Sequence, residues 1–107
     1  MRMHVHIFHI SFCFFRDKDI CIIMDETTDS KTRKVLNVLV CPLEPGAKPR
    51  LWSTTFLEHC NKKAIVEATI STVKDLHLGL DNLVMFITDN APYMIAAGDS
   101  LSKVCER

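Results

Sequence analysis

Two short runs carry no polar side chain at all, Ile20-Cys21-Ile22-Ile23-Met24 and Leu83-Val84-Met85-Phe86-Ile87. Each is too short for a helix and rich in β-branched residues, so each reads as a strand buried on both faces. Such strands occupy the middle of a sheet that must be covered, and they exclude an all-helical fold. Both runs lead into an aspartate, Asp25 directly and Asp89 after Thr88.

The residues between them set the connections. Val35-Leu36-Asn37-Val38-Leu39-Val40-Cys41 reads as a second strand, ended by Pro42. A loop rich in proline, with Gly46, follows to Arg50, and Leu51 to Leu57 suits a third strand. The short links make these three an antiparallel meander. Asn61 is placed to cap a helix over Lys62 to Leu78, with Gly79 as its stop signal and Val66, Ile70, Val73 and Leu76–His77 as its apolar face. A strand that follows a crossover helix lies parallel to an earlier strand, so Leu83–Ile87 belongs beside the first. Asn90 can cap a last helix, with Pro92 in its first turn and Met94, Ala97, Leu101 and Val104 as its inner stripe. The expected fold is α/β, in the order β-β-β-α-β-α.

At 107 residues the chain is one domain or a piece of one. Lys plus Arg and Asp plus Glu balance at 13 each, so the basic excess of a dedicated DNA-binding domain is missing. Five cysteines without a C-x-x-C pair argue against a disulfide framework and a structural zinc site, and suggest reduced thiols. Residues 1–19 form an atypical extension: an apolar run diluted by His4, His6 and His9, without a cleavage signal and too short to span a bilayer. An extra, loosely packed strand, or residues that do not belong to the natural domain, are the preferred readings, with 20–107 as the domain proper and no membrane partner.

Neighbouring strands lie about 4.8 Å apart. Parallel neighbours that end in Asp25 and Asp89 would therefore bring two carboxylates within reach of shared cations. Repulsion between them calls for neutralisation by hard ions such as Mg²⁺ or Mn²⁺. Two such ions about 3.5–4 Å apart can activate an attacking oxygen and stabilise a leaving one on a phosphodiester. The plain alternative is that each aspartate is a turn residue or a helix cap.

Three blocks, Ile22-Ile23-Met24-Asp25-Glu26-Thr27-Thr28-Asp29, Val35 to Val40, and Phe86-Ile87-Thr88-Asp89-Asn90-Ala91-Pro92-Tyr93-Met94, resemble the hAT-superfamily transposases. They are especially similar to the group with a DUF659-type domain and to the proteins named after the CGG triplet repeat-binding protein. The resemblance spans about residues 20–105 and implies a partial ribonuclease-H-like fold with a D…D…E metal triad. It makes Asp25 and Asp89 the first two catalytic and metal-binding carboxylates, with DNA as substrate and the nucleus as location. The family's glutamate lies far downstream of a segment matching Arg107, and the zinc-binding BED finger that often precedes the domain is not matched. The expectation is thus a truncated or degenerate transposase domain, inactive alone and weak for metal, with DNA held by regions beyond these residues. A domesticated, non-catalytic nuclear module is the competing expectation, and self-association through uncovered apolar surface is expected in either case.

Other polar residues carry weaker signals. His4 and His6 share one strand face, near His9; an irregular terminus is the simpler reading than a metal site. His59-Cys60 reads as a loop pair, and His77 suits a helix C-terminus. Glu26 and Asp29 read first as turn carboxylates, Lys31, Arg33 and Lys34 as a hairpin face that could also meet phosphate, and Trp52 as half-buried. Asn90 either orients Asp89 or caps the last helix. A dehalogenase-type site would need an acid at Thr27, and a Rossmann site a glycine-rich first turn; neither is present.

Overall fold

The first apolar run becomes the central strand of a five-stranded mixed sheet. The computed structural model describes residues 3–8 and 18–104. They form strands β1 (Met3–Ile7), β2 (Ile20–Thr28), β3 (Lys34–Pro42), β4 (Arg50–Leu57) and β5 (Leu83–Asp89), helices α1 (Lys62–Asp75) and α2 (Pro92–Val104), and a 3-10 turn at Leu80–Asn82. The sheet order is β1-β5-β2-β3-β4. β2, β3 and β4 are an antiparallel meander, and β5 returns through α1 to lie parallel to β2. β1 pairs antiparallel with the outer side of β5. The atypical extension therefore contributes an edge strand, while His9, Cys13 and Cys105 lie outside the described residues.

One face of the sheet is covered by both helices. Ile22 and Met24 of β2, Leu36 and Val38 of β3 and Phe86 of β5 pack there against Ile65 and Val73 of α1 and Met94, Ala97 and Leu101 of α2. The buried side of α1 is rotated from the expected stripe. It consists of Ile65, Thr69, Thr72 and Val73, with Val66 and Ile70 only half-buried. Threonine is tolerated because Thr69 Oγ1 donates to Ile65 O at 2.9 Å and Thr72 Oγ1 to Ala68 O at 2.8 Å. Each hydroxyl thus satisfies itself on its own helix. In α2, Met94, Ala97 and Leu101 are buried as expected, but Val104 is exposed and Gly98 takes part in the packing.

The end of α1 also differs. Asn61 caps it as expected, with Oδ1 accepting from Ala64 N at 3.0 Å. The helix stops at Asp75, and the left-handed residue that ends it is His77 (φ 57), not Gly79. Leu78 N reaches back to Val73 O at 3.0 Å and His77 N to Lys74 O at 2.9 Å, closing the last turn with the paired bonds of a Schellman motif. Gly79 instead opens the 3-10 turn, its N–H donating to Asn82 Oδ1 at 3.1 Å.

His6 fixes β1 to the helical layer. Its ring lies so close to Gly98 of α2 that any Cβ there would run into it. Nε2 lies 3.4 Å from Asp99 Oδ1, a long contact, and neither buried ring nitrogen has a hydrogen-bond partner among the described residues. Burial first, then the neighbouring His4, push the imidazole below its ordinary value, against the opposing pull of Asp99 and the Ile95 backbone.

Two outcomes follow from this packing. Phe86, fully buried in mid-sheet, should cost about 3–5 kcal/mol when replaced by alanine, read as a lowered urea midpoint. Because folding disfavours the charged imidazole, the unfolded chain binds that proton more readily. The stability tied to His6 is therefore present above pH 6.5, the ordinary value, and lost as pH falls below it. Thermal melts between pH 7.5 and 5.5 (on the order of one unit either side of that value) should show the loss in the wild type and a flatter profile in His6→Leu. An equal slope in the variant would assign the pH dependence elsewhere.

Candidate functional site

Among the described residues the second face of the sheet carries no helix, and its side chains follow from strand alternation. β2 and β5 run in parallel register with Cys21 opposite Met85 and Ile23 opposite Ile87. Carried two residues further, that register sets Asp25 level with Asp89. Across the rest of the sheet Asp25 pairs with Asn37, and Asn37 with Thr54. Thr54 Oγ1 donates to Asn37 Oδ1 at 3.0 Å. A polar row, Asp89, Asp25, Asn37 and Thr54, thus crosses four strands on the open face. The row below it is apolar: Val5, Ile87, Ile23, Leu39 and Leu51.

The two aspartates differ in setting. Asp25 does not end its strand, because β2 continues to Thr28 along β3. The hairpin partner, not the parallel neighbour, decides where β2 stops. Asp89 does end β5, and its Oδ1 accepts from Ala91 N at 3.0 Å in the turn into α2. The turn role foreseen as the plain alternative is thus one that Asp89 performs. Asn90 is exposed and the turn is bonded by Asp89, so Asn90 is not the residue that fixes the entry of α2.

Glu26 points to the opposite face from Asp25 and is engaged there. Lys34 Nζ lies 3.2 Å from Glu26 Oε1, whose side chain is mostly buried. Cys60, at the approach to α1, lies against the same carboxylate. Its thiol is pushed up to about 12, by burial first, then by its hydrogen bond to Glu26 and the charges of Glu26 and Asp89, with Lys34 opposing. A thiol held protonated in this way is not a nucleophile. Asp29 is structural. Its Oδ1 accepts from Lys31 N and Arg33 N, each at 2.9 Å, and Oδ2 accepts from Arg33 Nε at 2.7 Å. These bonds, the Arg33 backbone N–H foremost, hold the Asp29 carboxyl below its usual range. Arg33 also sits over the Phe56 ring, 4.2 Å from its centroid. The basic cluster is therefore partly consumed by the hairpin: Arg33 and Lys34 are ion-paired, and Lys31 makes no ion pair among the described residues.

Asn37 and Thr54 were not marked as site residues by sequence reasoning, though Asn37 was legible as the one polar residue inside an apolar strand. Among the described residues no three His, Cys, Asp or Glu side chains are gathered to hold one ion, the His4–His6 pair included. Two carboxylates are nevertheless hard oxygen donors of the type Mg²⁺ and Mn²⁺ accept. Asp89 keeps Oδ2 outside the turn bond. A cleft of about 610 Å³ lies elsewhere, between the start of β2 and the loop after β3, lined by Asp19, Ile20, Pro42, Glu44 and His77 among others. It is at the far end of β2 from Asp25. Among the described residues no helix is long and apolar enough to cross a membrane. Comparison of the chain with protein-family models, with curated proteins and with solved structures gives no match in any of the three.

The geometry around Cys60 makes a chemical prediction. Glu26→Gln removes a negative charge and an ionised acceptor from the thiol, so alkylation of Cys60 by iodoacetamide at about pH 8, near the ordinary thiol range, should accelerate several-fold by peptide mass analysis. An unchanged rate would mean that burial alone protects the sulfur.

Proposed function

We propose that this chain is the leading part of a ribonuclease-H-like nuclease core of the hAT transposase type, with Asp25 and Asp89 as its first two metal-binding carboxylates. The observation that supports this most is the parallel register of β2 and β5, which sets Ile23 opposite Ile87 and, extended two residues, would bring Asp25 level with Asp89. The sheet's meander-then-crossover order, with β5 beside β2, is the order the resemblance implies.

In this reading the substrate is a DNA phosphodiester and the compartment is the nucleus. Divalent Mg²⁺ or Mn²⁺, when bound, would supply charge neutralisation for the phosphate and acidity for the attacking water or 3′-hydroxyl. The chain's own residues orient that centre. Asp25 is held in mid-strand by its pairing with Asn37 of β3, and Asp89 is fixed through its bond to Ala91 N. With these two carboxylates as the assigned ligands among the described residues, the expected metal affinity is weak and DNA cleavage by these residues alone is not expected.

A non-catalytic interaction module is the second reading. It is favoured by the exposed apolar side chains of the open face and its edges, Met3, Val5, Ile7, Leu51, Trp52 and Phe56, a quantity of uncovered surface that suits a docking partner.

Titration calorimetry with Mn²⁺ separates the two. Weak binding, with a Kd on the order of 0.1–1 mM, should disappear in an Asp25→Asn/Asp89→Asn double variant. Heat that survives the double substitution would remove the assigned ligands. Supercoiled plasmid incubated with the chain and Mn²⁺ should stay intact, and efficient nicking would show that a complete active site already exists in these residues.

A further inference from the structure

Two cysteines stand directly opposite each other in the ladder between β2 and β3. The two strands pair without a register shift from Ile20 and Pro42 to Thr28 and Lys34, and within that run Cys21 faces Cys41. Opposed residues of an antiparallel pair point to one face of the sheet. Here it is the face of Ile23 and Leu39, two residues along each strand. Both are free thiols, Cys21 buried and Cys41 half-buried. The groups sense one another: burial first, then the charge of Cys41, push the Cys21 thiol up to about 12.

The backbone bonds at the two ends of the ladder fix its phase. Leu43 N donates to Asp19 O and Asp29 N to Arg33 O, each at 3.0 Å. Hydrogen-bonded and non-hydrogen-bonded pairs alternate along such a ladder. Counted inwards from either end, Cys21 and Cys41 form a hydrogen-bonded pair. Pro42, which has no N–H, falls in the non-bonded pair beside it. The Cα atoms of a hydrogen-bonded pair lie about 5.5 Å apart, inside the range of roughly 4.4–6.8 Å that disulfides span. The Cβ atoms sit at the wide end of roughly 4.5–5.5 Å, beyond the roughly 3.5–4.5 Å of a relaxed bridge. A bond between these sulfurs is therefore attainable but strained, and strained disulfides are the readily reduced ones.

We propose that Cys21 and Cys41 are a redox-modification site, closed into a reversible cross-strand disulfide by a small disulfide of the glutathione type. Cys41, the more exposed, reacts first. Its thiolate attacks the incoming disulfide, forms a mixed disulfide and releases one small thiol. The Cys21 thiolate then attacks Cys41 Sγ, the mixed S–S bond breaks and the second small thiol leaves. Two electrons and two protons pass from the protein thiols to the two released thiols. The second step is slow, because the buried Cys21 is held protonated. The bridge ties together the two strands whose Ile20 and Pro42 line the cleft beside the loop after β3. It lies at the far end of β2 from Asp25, so the inference needs neither the carboxylates nor a metal.

The test incubates the full chain, without denaturant, with excess oxidised glutathione, blocks the remaining thiols with iodoacetamide and maps the peptides by mass. The peptide of Cys21 should be found joined to that of Cys41. Cys21→Ala should stop at a Cys41–glutathione adduct, and Cys41→Ser should leave Cys21 reduced, with circular dichroism reporting that each variant is folded. Excess reduced glutathione should reopen the wild-type bridge in the native chain. A folded wild-type chain that halts at the Cys41 adduct overturns the proposal, whatever the variants do. So does a bridge that forms only in urea, since it then belongs to the unfolded chain, and so does pairing of Cys41 with another cysteine. A native bridge that resists reduced glutathione overturns its reversibility.

Discussion

The parallel pairing of β2 with β5 is the constraint on which the rest depends. It is the one non-local strand contact that needs a crossover, and α1 exists to make it. Once Ile23 stands opposite Ile87, Asp25 and Asp89 each follow two residues further along neighbouring strands. The same pairing sets which side chains face the helices, since a register slip of one residue would exchange the two faces of a strand. Ile22, Met24 and Phe86 then could not meet Ile65 and Met94 in the core. Core packing and the position of the two carboxylates are therefore a single choice made once.

That choice leaves the molecule one-sided. Both helices lie on one face, while the other presents a polar row above an apolar field. β1 extends the uncovered side, since Met3, Val5 and Ile7 are exposed while His6 turns inward to Gly98. His6, one of the histidines that dilute the first strand, is thus the residue that attaches it: an imidazole is narrow enough to seat on a glycine, and its neutral form tolerates burial. In the sequence, the three histidines of that short run leave an irregular terminus standing beside the extra strand as a reading.

What could be read from the sequence was whatever the backbone shows through hydrophobic pattern. The two apolar runs, the proline-ended second strand, Asn61 as a cap and Pro92 at the start of the last helix all stand where periodicity and turn chemistry put them. What could not be read depended on bonds made locally by polar groups. The buried side of α1 was misplaced because Thr69 and Thr72 count as polar until their hydroxyls are seen bonded to Ile65 O and Ala68 O. The helix end was misplaced because His77 adopts the left-handed conformation in preference to the nearby Gly79, its strain offset by the two closing bonds from Leu78 and His77. The length of β2 was misjudged because its end is decided by the Asp29 turn, which carries the hairpin to Lys34. For the site, Asp25 and Asp89 stood out as the acids that follow the two apolar runs, whereas Asn37 and Thr54 joined Asp25 only through cross-strand register.

The two aspartates also show why a structural role and a ligand role need not exclude each other. A carboxylate has two oxygens and about four acceptor positions. Asp89 commits Oδ1 to Ala91 N, which fixes its rotation and leaves Oδ2 with a defined direction. Asp25 is fixed differently, by a backbone paired on both sides as far as Ile23 and on the β3 side beyond. The Asp89 carboxylate is thus already ordered, whereas for Asp25 it is the backbone that is fixed. The turn bond of Asp89 is then part of what would make it a good donor, and finding it does not count against the carboxylate pair.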